Sequence, residues 1–401
     1  MATSSKVRNY NVDFWRIFLT ICFVAVHTII VVPPRVGGKP VLTVFGGWAP
    51  MMVPFFIFTG YFLMHAVRRA KTRTPDATPL QASWKYLRSR LVYFMPCLII
   101  GQLFGFLVNN IYNKVPIAEW PMRLLDSVWE IFGFQLTGLG MGNSWVGYGG
   151  GANSSWTMLN GPLWYISGIL ILGWVLFFLL YKYEDVMVGI VLPIGWLLSN
   201  GAYNVNQWNP AWGQYLIQTK NFPVGIINDK LVHMFFGFGL GAVFFCIIEA
   251  IEKKHPDGFK KSTVIWLSIL NGFLNIFMIL HMFIGFHISL GTAWGLLALM
   301  CFLILLNADA YNHWFSKTFG FVIKPLGKLM MYVYIFHYPM ITVVYGIIGP
   351  DKHLLCFLIV TALALLVSVG YYQLYTKVIE PHFNPKAAKA APAPAPAEEK
   401  K

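Results

Sequence analysis

Long apolar runs recur along the chain, and each is long enough to cross the hydrocarbon core of a bilayer. A membrane-spanning helix needs about 20 consecutive, mostly apolar residues. On that criterion we expect about ten spans: Asp13–Val32, Val41–Val67, Leu91–Ile111, Gly161–Tyr181, Val186–Ala202, Leu231–Ile251, Val264–Ile284, Ile288–Leu306, Leu326–Ile348 and Leu354–Tyr375. The fifth run is short and contains Pro193. Repeated runs of this length predict an all-α fold, a polytopic bundle of transmembrane helices.

Composition supports a membrane protein. Of the 401 residues, 57% are hydrophobic and 11% are charged, whereas soluble domains carry about 25% charged residues. The net charge of +14 could suggest nucleic acid, but the basic residues form short clusters between apolar runs, as membrane proteins arrange them. We therefore predict membrane lipid, and no nucleic acid, as a partner. The five cysteines lie inside apolar runs without a CxxC pair, which disfavours a disulfide framework or zinc site.

The basic clusters predict the topology. They follow the second, sixth and tenth runs, which end inside if the N-terminus is cytoplasmic. We expect a multi-pass protein of the cell (plasma) membrane with both termini cytoplasmic. Its predicted parts are a cytoplasmic segment at 1–12, a membrane domain at 13–383 and a disordered Ala/Pro tail at 384–401. The sequence does not indicate an oligomeric state.

Arg16 and His27 are ionisable residues inside the first apolar run, where such groups are costly and usually functional. Eleven positions return to within roughly 20° of the same helix face, with a rise of about 16 Å. His27 fits a general base or nucleophile, or a core histidine bonded to a neighbouring helix. The anion that Arg16 requires is either Asp13 or a substrate phosphate.

Two further segments follow. In Phe55–Leu63 (FFIFTGYFL) a hydroxyl and a glycine interrupt an aromatic span, and close helix packing is the favoured interpretation of Gly60. The basic link Arg68–Arg90 is explained mostly by topology. Arg90 differs, because it opens an apolar run and is expected to point into the bundle. An arginine there could hold phosphates through bidentate contacts.

Aromatic residues and a second histidine mark the later spans. Trp164 and Tyr165 follow a Gly-Pro turn at the predicted outer surface, as an interfacial aromatic belt or as a stacking surface for sugar rings. His337 lies in the ninth run beside Pro339. No GxSxG, HExxH or Walker pattern occurs in the sequence, and we predict no metal.

These features, in this order, resemble membrane acyltransferase family 3, the integral-membrane O-acyltransferases that modify cell-surface glycans. The resemblance runs from about Asn11 to Phe383. It rests on the R-(ten residues)-H pair Arg16 and His27, the segment Phe55 to Tyr61, Arg90 with Pro96, the group Tyr332, Tyr334, His337 and Pro339, and the closing Ile379–Pro381. The match is to a short form without an appended extracytoplasmic domain. The chain departs from common family patterns at Tyr93 and Ile169.

The resemblance implies a cytoplasmic acyl-CoA donor, an acceptor hydroxyl on the other side and an essential His-Arg pair. The expected reaction is transfer of an acyl group, most simply acetyl from acetyl-CoA, to a cell-surface or lipid-linked glycan. In this hypothesis the catalytic residues are His27 and Arg16, the donor-binding residues are Arg90, Arg68, Arg69 and Arg88, and the acceptor-side candidates are Trp164, Tyr165 and His337.

Two alternatives use the same residues differently. In an exporter of a polysaccharide or small metabolite, Arg16 would bind an anionic substrate and His27 would gate the path or relay protons. The scarcity of carboxylates within the spans argues against proton coupling. A purely structural partner in a glycan-assembly complex is the third possibility, and nothing in the sequence requires it.

Overall fold

The computed structural model describes residues 8–31, 35–36, 39–40, 51–134, 160–208, 229–284, 288, 290–349 and 352–383. The predicted tail and residues 1–7 lie outside them. The helices are α1 Tyr10–Val31, α2 Met52–Arg73, α3 Pro79–Tyr112, α4 Trp120–Asp126, α5 Val128–Ile131, α6 Trp164–Val186, α7 Leu192–Trp208, α8 Asp229–Lys254, α9 Lys261–Ile284, α10 Leu290–Leu306, α11 Tyr311–Ile348, α12 His353–Leu374 and α13 Glu380–Phe383. Strands Arg35–Val36 and Lys39–Pro40 form a two-residue antiparallel ladder. The all-α class is confirmed.

The described helices do not confirm a count of about ten spans. Six helical segments are long and apolar enough to cross a membrane: Pro79–Tyr112, Gly161–Asn200, Leu231–Lys254, Lys261–Phe283, Tyr311–Ile348 and His353–Phe383. The predicted fourth and fifth spans together form the second of these. They are joined through a non-helical residue, Tyr183, and a π-helical turn at Met187–Val191. The two apolar runs therefore lie on opposite sides of a kink, in α6 and α7, within one helical segment.

The predicted basic link between the second and third spans is mostly helical. Helix α2 continues to Arg73, and α3 already begins at Pro79. Thr78 forms a capping box with Gln81, which satisfies backbone N–H groups at the start of α3. Proline suits the first helical position because its fixed φ is already helical. Arg90 consequently lies on a continuous helix that reaches beyond the apolar run.

Glycines allow α2 and α8 to pack with their backbones in contact. A Cβ atom on Gly60 would overlap the backbone of Phe238, and one on Gly241 would overlap the backbone of Ile57. Small residues permit this approach between membrane helices, where van der Waals packing is a main source of association. The packing interpretation of Gly60 is confirmed. The close contact fixes α2, which forms one wall of the site.

A polar cluster fastens α1 to its neighbours near its N-terminus. The Asp309 carboxylate, in the turn before α11, accepts hydrogen bonds from the side chains of Asn11 (3.3 Å) and Asn271 and from the backbone of Tyr311 (2.9 Å). Burial raises the pKa of Asp309 above its ordinary value, and these hydrogen bonds oppose the rise. The cluster sets the position of α1 against α9 and α11.

Candidate active site

A cavity of about 1420 Å³ enters the bundle at the end where α2 finishes and α3 starts, called the basic end below. It exceeds the roughly 300–1,000 Å³ typical of small-molecule sites. Side chains of α1, α2, α3, α6, α8, α9, α10 and α11 line it. Arg69, Arg73 and Lys85 line it and are exposed, so the cavity is open at this end. The space suits an extended ligand.

Positive charge dominates the cavity wall. Its charged side chains are Arg8, Arg16, Arg69, Arg73, Lys85 and Arg90, against Asp13 and Glu252. Asp13 binds Arg8 and lies 3.7 Å from Arg16. Within the described part of the chain, no carboxylate forms an ion pair with Arg69, Arg73, Lys85 or Arg90. Guanidinium groups without a carboxylate partner favour an anionic ligand such as a phosphate.

Two of the arginines expected at the donor site do not line the cavity. Arg68 lies 2.7 Å from Glu184 and 3.1 Å from Glu249. Arg88 is exposed on α3. Adjacent helical residues project about 100° apart, which explains why Arg69 faces the cavity while Arg68 faces the glutamates. The structure thus brings together Arg16, Arg69 and Arg90.

The sequence interpretation overlooked three cavity cations. Arg8, Arg73 and Lys85 line the cavity but were not singled out. For Arg73 a signal existed, since it stands four residues after Arg69 and eight after His65, on one stripe of α2. Helical phase, applied to the basic link, would have found it. Whether Arg8 reaches the cavity depends on how α1 packs, and no local sequence pattern predicts that packing.

Four aromatic rings separate the cavity from the far half of α1, and we call them the aromatic partition. They are Phe23, Phe55, Tyr165 and Tyr334, with neighbouring ring centroids 5.7 to 6.1 Å apart. Phe55, Tyr165 and Tyr334 line the cavity. Such spacings are typical of packed aromatic pairs. The cavity extends as far as these rings, since Phe23 and His27 do not line it.

Hydrogen bonds hold the two tyrosines of the partition. Tyr165 donates to the Phe55 carbonyl at 3.2 Å and shares a 2.6 Å hydrogen bond with the Thr59 hydroxyl. Tyr334 donates to the Pro162 carbonyl at 2.6 Å. Because Tyr165 is only 4% exposed, it is part of the bundle interior and not of an interfacial belt. Its ring and hydroxyl therefore have fixed positions at the inner end of the cavity.

The two histidines meet behind the partition. His27 Nδ1 and His337 Nε2 are 2.9 Å apart, and the rings stack with centroids 5.1 Å apart. His337 Nδ1 lies 2.8 Å from the backbone carbonyl of Tyr334. Phe23 stacks on His27 at 6.0 Å. His337 is completely buried, whereas His27 keeps some exposed surface.

Pro339 shapes the helix around His337. A proline lacks the N–H that would bond to the carbonyl four residues earlier, here that of Ile335. The Asn160 side chain donates to this carbonyl at 2.8 Å instead. Membrane helices tolerate proline where such a partner satisfies the freed group. The Gly-Pro turn after Asn160 is thereby tied to α11 beside the histidine.

Not every predicted residue reaches this site. Arg16 lines the cavity, while His27 lies beyond its inner end. Trp164 is partly buried against the edge of Phe56, 6.2 Å away, and does not line the cavity. Among the described residues, no three His, Cys, Asp or Glu side chains are grouped so that they could hold a metal ion.

Comparison with known proteins decides the family. The family model described as an acyltransferase domain, Acyl_transf_3, matches residues 9–373. The chain belongs to acyltransferase family 3. The predicted resemblance is confirmed. The family match and the apolar helices together show that the chain is a membrane acyltransferase. No curated protein and no solved structure matches the chain. The matched region of the acyltransferase includes the aromatic partition, the histidine pair and every cavity-lining residue except Arg8.

Proposed function

We propose that this acyltransferase moves an acyl group, acetyl in the simplest case, from cytoplasmic acyl-CoA to a hydroxyl of a cell-surface or lipid-linked glycan. It would lie in the cell membrane with the basic end in the cytoplasm, since loops rich in Lys and Arg stay on that side. One observation carries the proposal. Four cavity cations form no ion pair with a carboxylate of the described residues, and the histidine pair lies behind the aromatic partition at the inner end of that cavity.

The residues at the cavity mouth fit the phosphates of CoA. Arg16, Arg69 and Arg90 would hold them, joined by Arg73 and Lys85. Arg68 would instead orient Glu184 and Glu249, with which it already pairs. Helical rise separates Arg16 from His27 by about 16 Å, which the pantetheine arm can bridge. CoA would supply an activated thioester, and the chain would position it.

His27 would act as the general base. It takes the proton from the acceptor hydroxyl, and the oxygen attacks the thioester carbonyl carbon. As the carbon–sulfur bond breaks, the CoA thiolate leaves and receives that proton from His27, so that ester and free CoA are the products. Transient transfer of the acyl group onto His27 is the other route open to an imidazole.

The aromatic partition bears on acyl size and on the rival function. The thioester must pass or displace its rings to reach His27, which favours a small acyl group. An exporter would need a path through the same rings wide enough for its substrate, and the contacts between neighbouring rings argue against such a path in this conformation.

Purified protein in proteoliposomes tests the proposal. Labelled acetyl-CoA is supplied with a glycan acceptor, and transfer is expected for the wild type but not for His27→Ala. Arg88→Ala is the matched control for Arg90→Ala, because both lie on α3 and only Arg90 lines the cavity. Full transfer by His27→Ala contradicts the proposal. Glycan release from loaded vesicles without CoA supports the exporter.

A further inference from the structure

The histidine pair has a defined arrangement of protons. The Tyr334 carbonyl can only accept a hydrogen bond, so His337 Nδ1, 2.8 Å away, must carry a proton. In a neutral imidazole the other nitrogen then holds a lone pair. The His337 ring therefore presents an acceptor, Nε2, to whatever faces it.

His27 faces that acceptor. Its Nδ1 is 2.9 Å from His337 Nε2 and must donate the hydrogen bond. His27 is then the Nδ1–H tautomer, and its Nε2 keeps the lone pair. The opposite donor direction would need a positively charged His337. That residue is completely buried, and no carboxylate of the described chain forms an ion pair with it.

The packing allows this arrangement to persist. Phe23 stacks on His27 at 6.0 Å, and Tyr338 meets its ring edge-on at 5.7 Å. His337 is held from behind by its own helix, through the Tyr334 carbonyl. Of the two imidazoles only His27 retains exposed surface. His337 can therefore orient the His27 ring, and His27 can react with a substrate.

We propose that His337 is a positioning residue that locks His27 in the Nδ1–H tautomer, so that Nε2 is the atom that takes the acceptor proton. The proposal rests on the proposed function in taking His27 as the base. A group that orients a catalytic histidine through its second nitrogen is a general device, and loss of such a partner leaves the wrong tautomer. No proton needs to reach His337 in this scheme.

Solid-state ¹⁵N NMR of histidine-labelled protein in lipid reads the tautomer directly. The chain has ten histidines, and the His27 signals are those lost in His27→Gln. Wild type is expected to show a protonated Nδ1 and an unprotonated Nε2 at His27. His337→Phe has no acceptor at this position, so we expect a substantial fraction of the His27 side chains to carry the proton on Nε2. An unchanged His27 spectrum in His337→Phe overturns the positioning role.

A matched pair of small variants separates positioning from packing. In His337→Gln the amide oxygen can replace Nε2 as acceptor, whereas His337→Asn reaches only the place of Nδ1. We expect kcat within about tenfold of wild type for Gln and a loss of about 10²-fold or more for Asn, with KM for acyl-CoA unchanged in both. This pair tests the proposal even where phenylalanine disrupts the bundle. Equal kcat values for Gln and Asn overturn the proposal.

The two proposals fail in different ways. A wild-type tautomer in His337→Phe refutes positioning and leaves His27 as the base. Full acyl transfer by His27→Ala refutes the proposed function, whatever tautomer the spectrum shows.

Discussion

Asn160 donates a 2.8 Å hydrogen bond to the backbone carbonyl of Ile335, 175 positions later in the chain. Both groups are buried, and the carbonyl lacks its helical partner because Pro339 has no N–H. Together with the hydrogen bond from Tyr334 to the Pro162 carbonyl, this bond connects the turn that starts the fourth predicted span to the helix that carries His337. The Asn160 side chain thus donates the hydrogen bond that a backbone N–H of α11 would normally donate to Ile335.

Asn160→Ala is expected to destabilise the folded protein by about 1–3 kcal/mol, because it leaves a buried carbonyl unsatisfied. Thermal unfolding in detergent measures the loss. Asn113→Ala is the control, since Asn113 donates an equally short 2.8 Å bond to a backbone carbonyl in an exposed position. Adding Pro339→Ala restores an N–H for Ile335, so the double variant should regain part of the loss. Strict additivity of the two changes contradicts this account.

Arg90→Ala is expected to raise KM for acyl-CoA by about 10–100-fold with a smaller change in kcat. Losing a hydrogen bond to a charged group costs about 1.5–3 kcal/mol, and each 1.4 kcal/mol is a factor of ten. Arg88→Ala, on the exposed side of the same helix, should leave KM unchanged. Steady-state kinetics at fixed salt is the measurement. A similar KM change in both variants would point to general surface charge instead.

Phe55→Ala should widen acyl selectivity. Removing one ring of the aromatic partition opens space at the inner end of the cavity, and each methylene accommodated is worth about 1–3 kcal/mol. The ratio of butyryl to acetyl transfer is expected to rise about tenfold. Phe62→Ala is the control, because Phe62 lines the cavity on the same helix but lies outside the partition and is 46% exposed. An unchanged ratio of butyryl to acetyl transfer in Phe55→Ala would show that the aromatic partition does not select the acyl group.

Gly241→Ala is expected to reduce the yield of folded protein, because its methyl group would overlap the Ile57 backbone between α2 and α8. Overpacking typically costs about 1–3 kcal/mol, and backbone atoms cannot move aside as side chains do. Gly370→Ala is the matched control within α12, since nothing lies within 4 Å of its added Cβ. That change should be neutral or stabilising by up to about 1 kcal/mol. Size-exclusion profiles and thermal unfolding compare the two.

Asp309 should make stability fall as pH rises. Burial raises its pKa in the folded state, so the folded protein binds this proton more tightly than the unfolded chain does. The contribution is complete below the ordinary value of about 3.9 and is lost as pH rises through the folded-state pKa. We expect Asp309→Asn to remove this dependence of stability on pH. The measurement is the melting temperature of each protein as a function of pH. An identical curve for the variant contradicts the assignment.

Local patterns predicted a good part of this molecule. Apolar run length predicted the all-α class, and the helical repeat placed Arg16 and His27 on one face of α1. The Thr78 capping box is also readable from the sequence, although we explained the basic link by membrane topology alone. Gly60 predicted a close helix contact, although not the identity of the partner helix. These features depend on residues within a few turns of one another.

The remaining features depend on tertiary packing. The His27–His337 contact joins positions 310 residues apart, and only the packing of α1 against α11 creates it. The pairing of Arg68 with glutamates of α6 and α8 also needs three helices in place. The number of spans depends on how the interval between the fourth and fifth apolar runs folds, and there a kink at Tyr183 and a π-helical turn join the two runs.

The early start of α3 has a further consequence. From Pro79 to Arg90 the helix rises about 16 Å before the apolar run begins, and two cavity cations, Lys85 and Arg90, lie on this stretch. A positively charged wall attracts oppositely charged solutes over about a Debye length, roughly 8–10 Å in ordinary buffers. Capture of a phosphate-bearing donor should therefore begin in the aqueous phase, and its association rate should decline steeply with ionic strength while the chemical step does not.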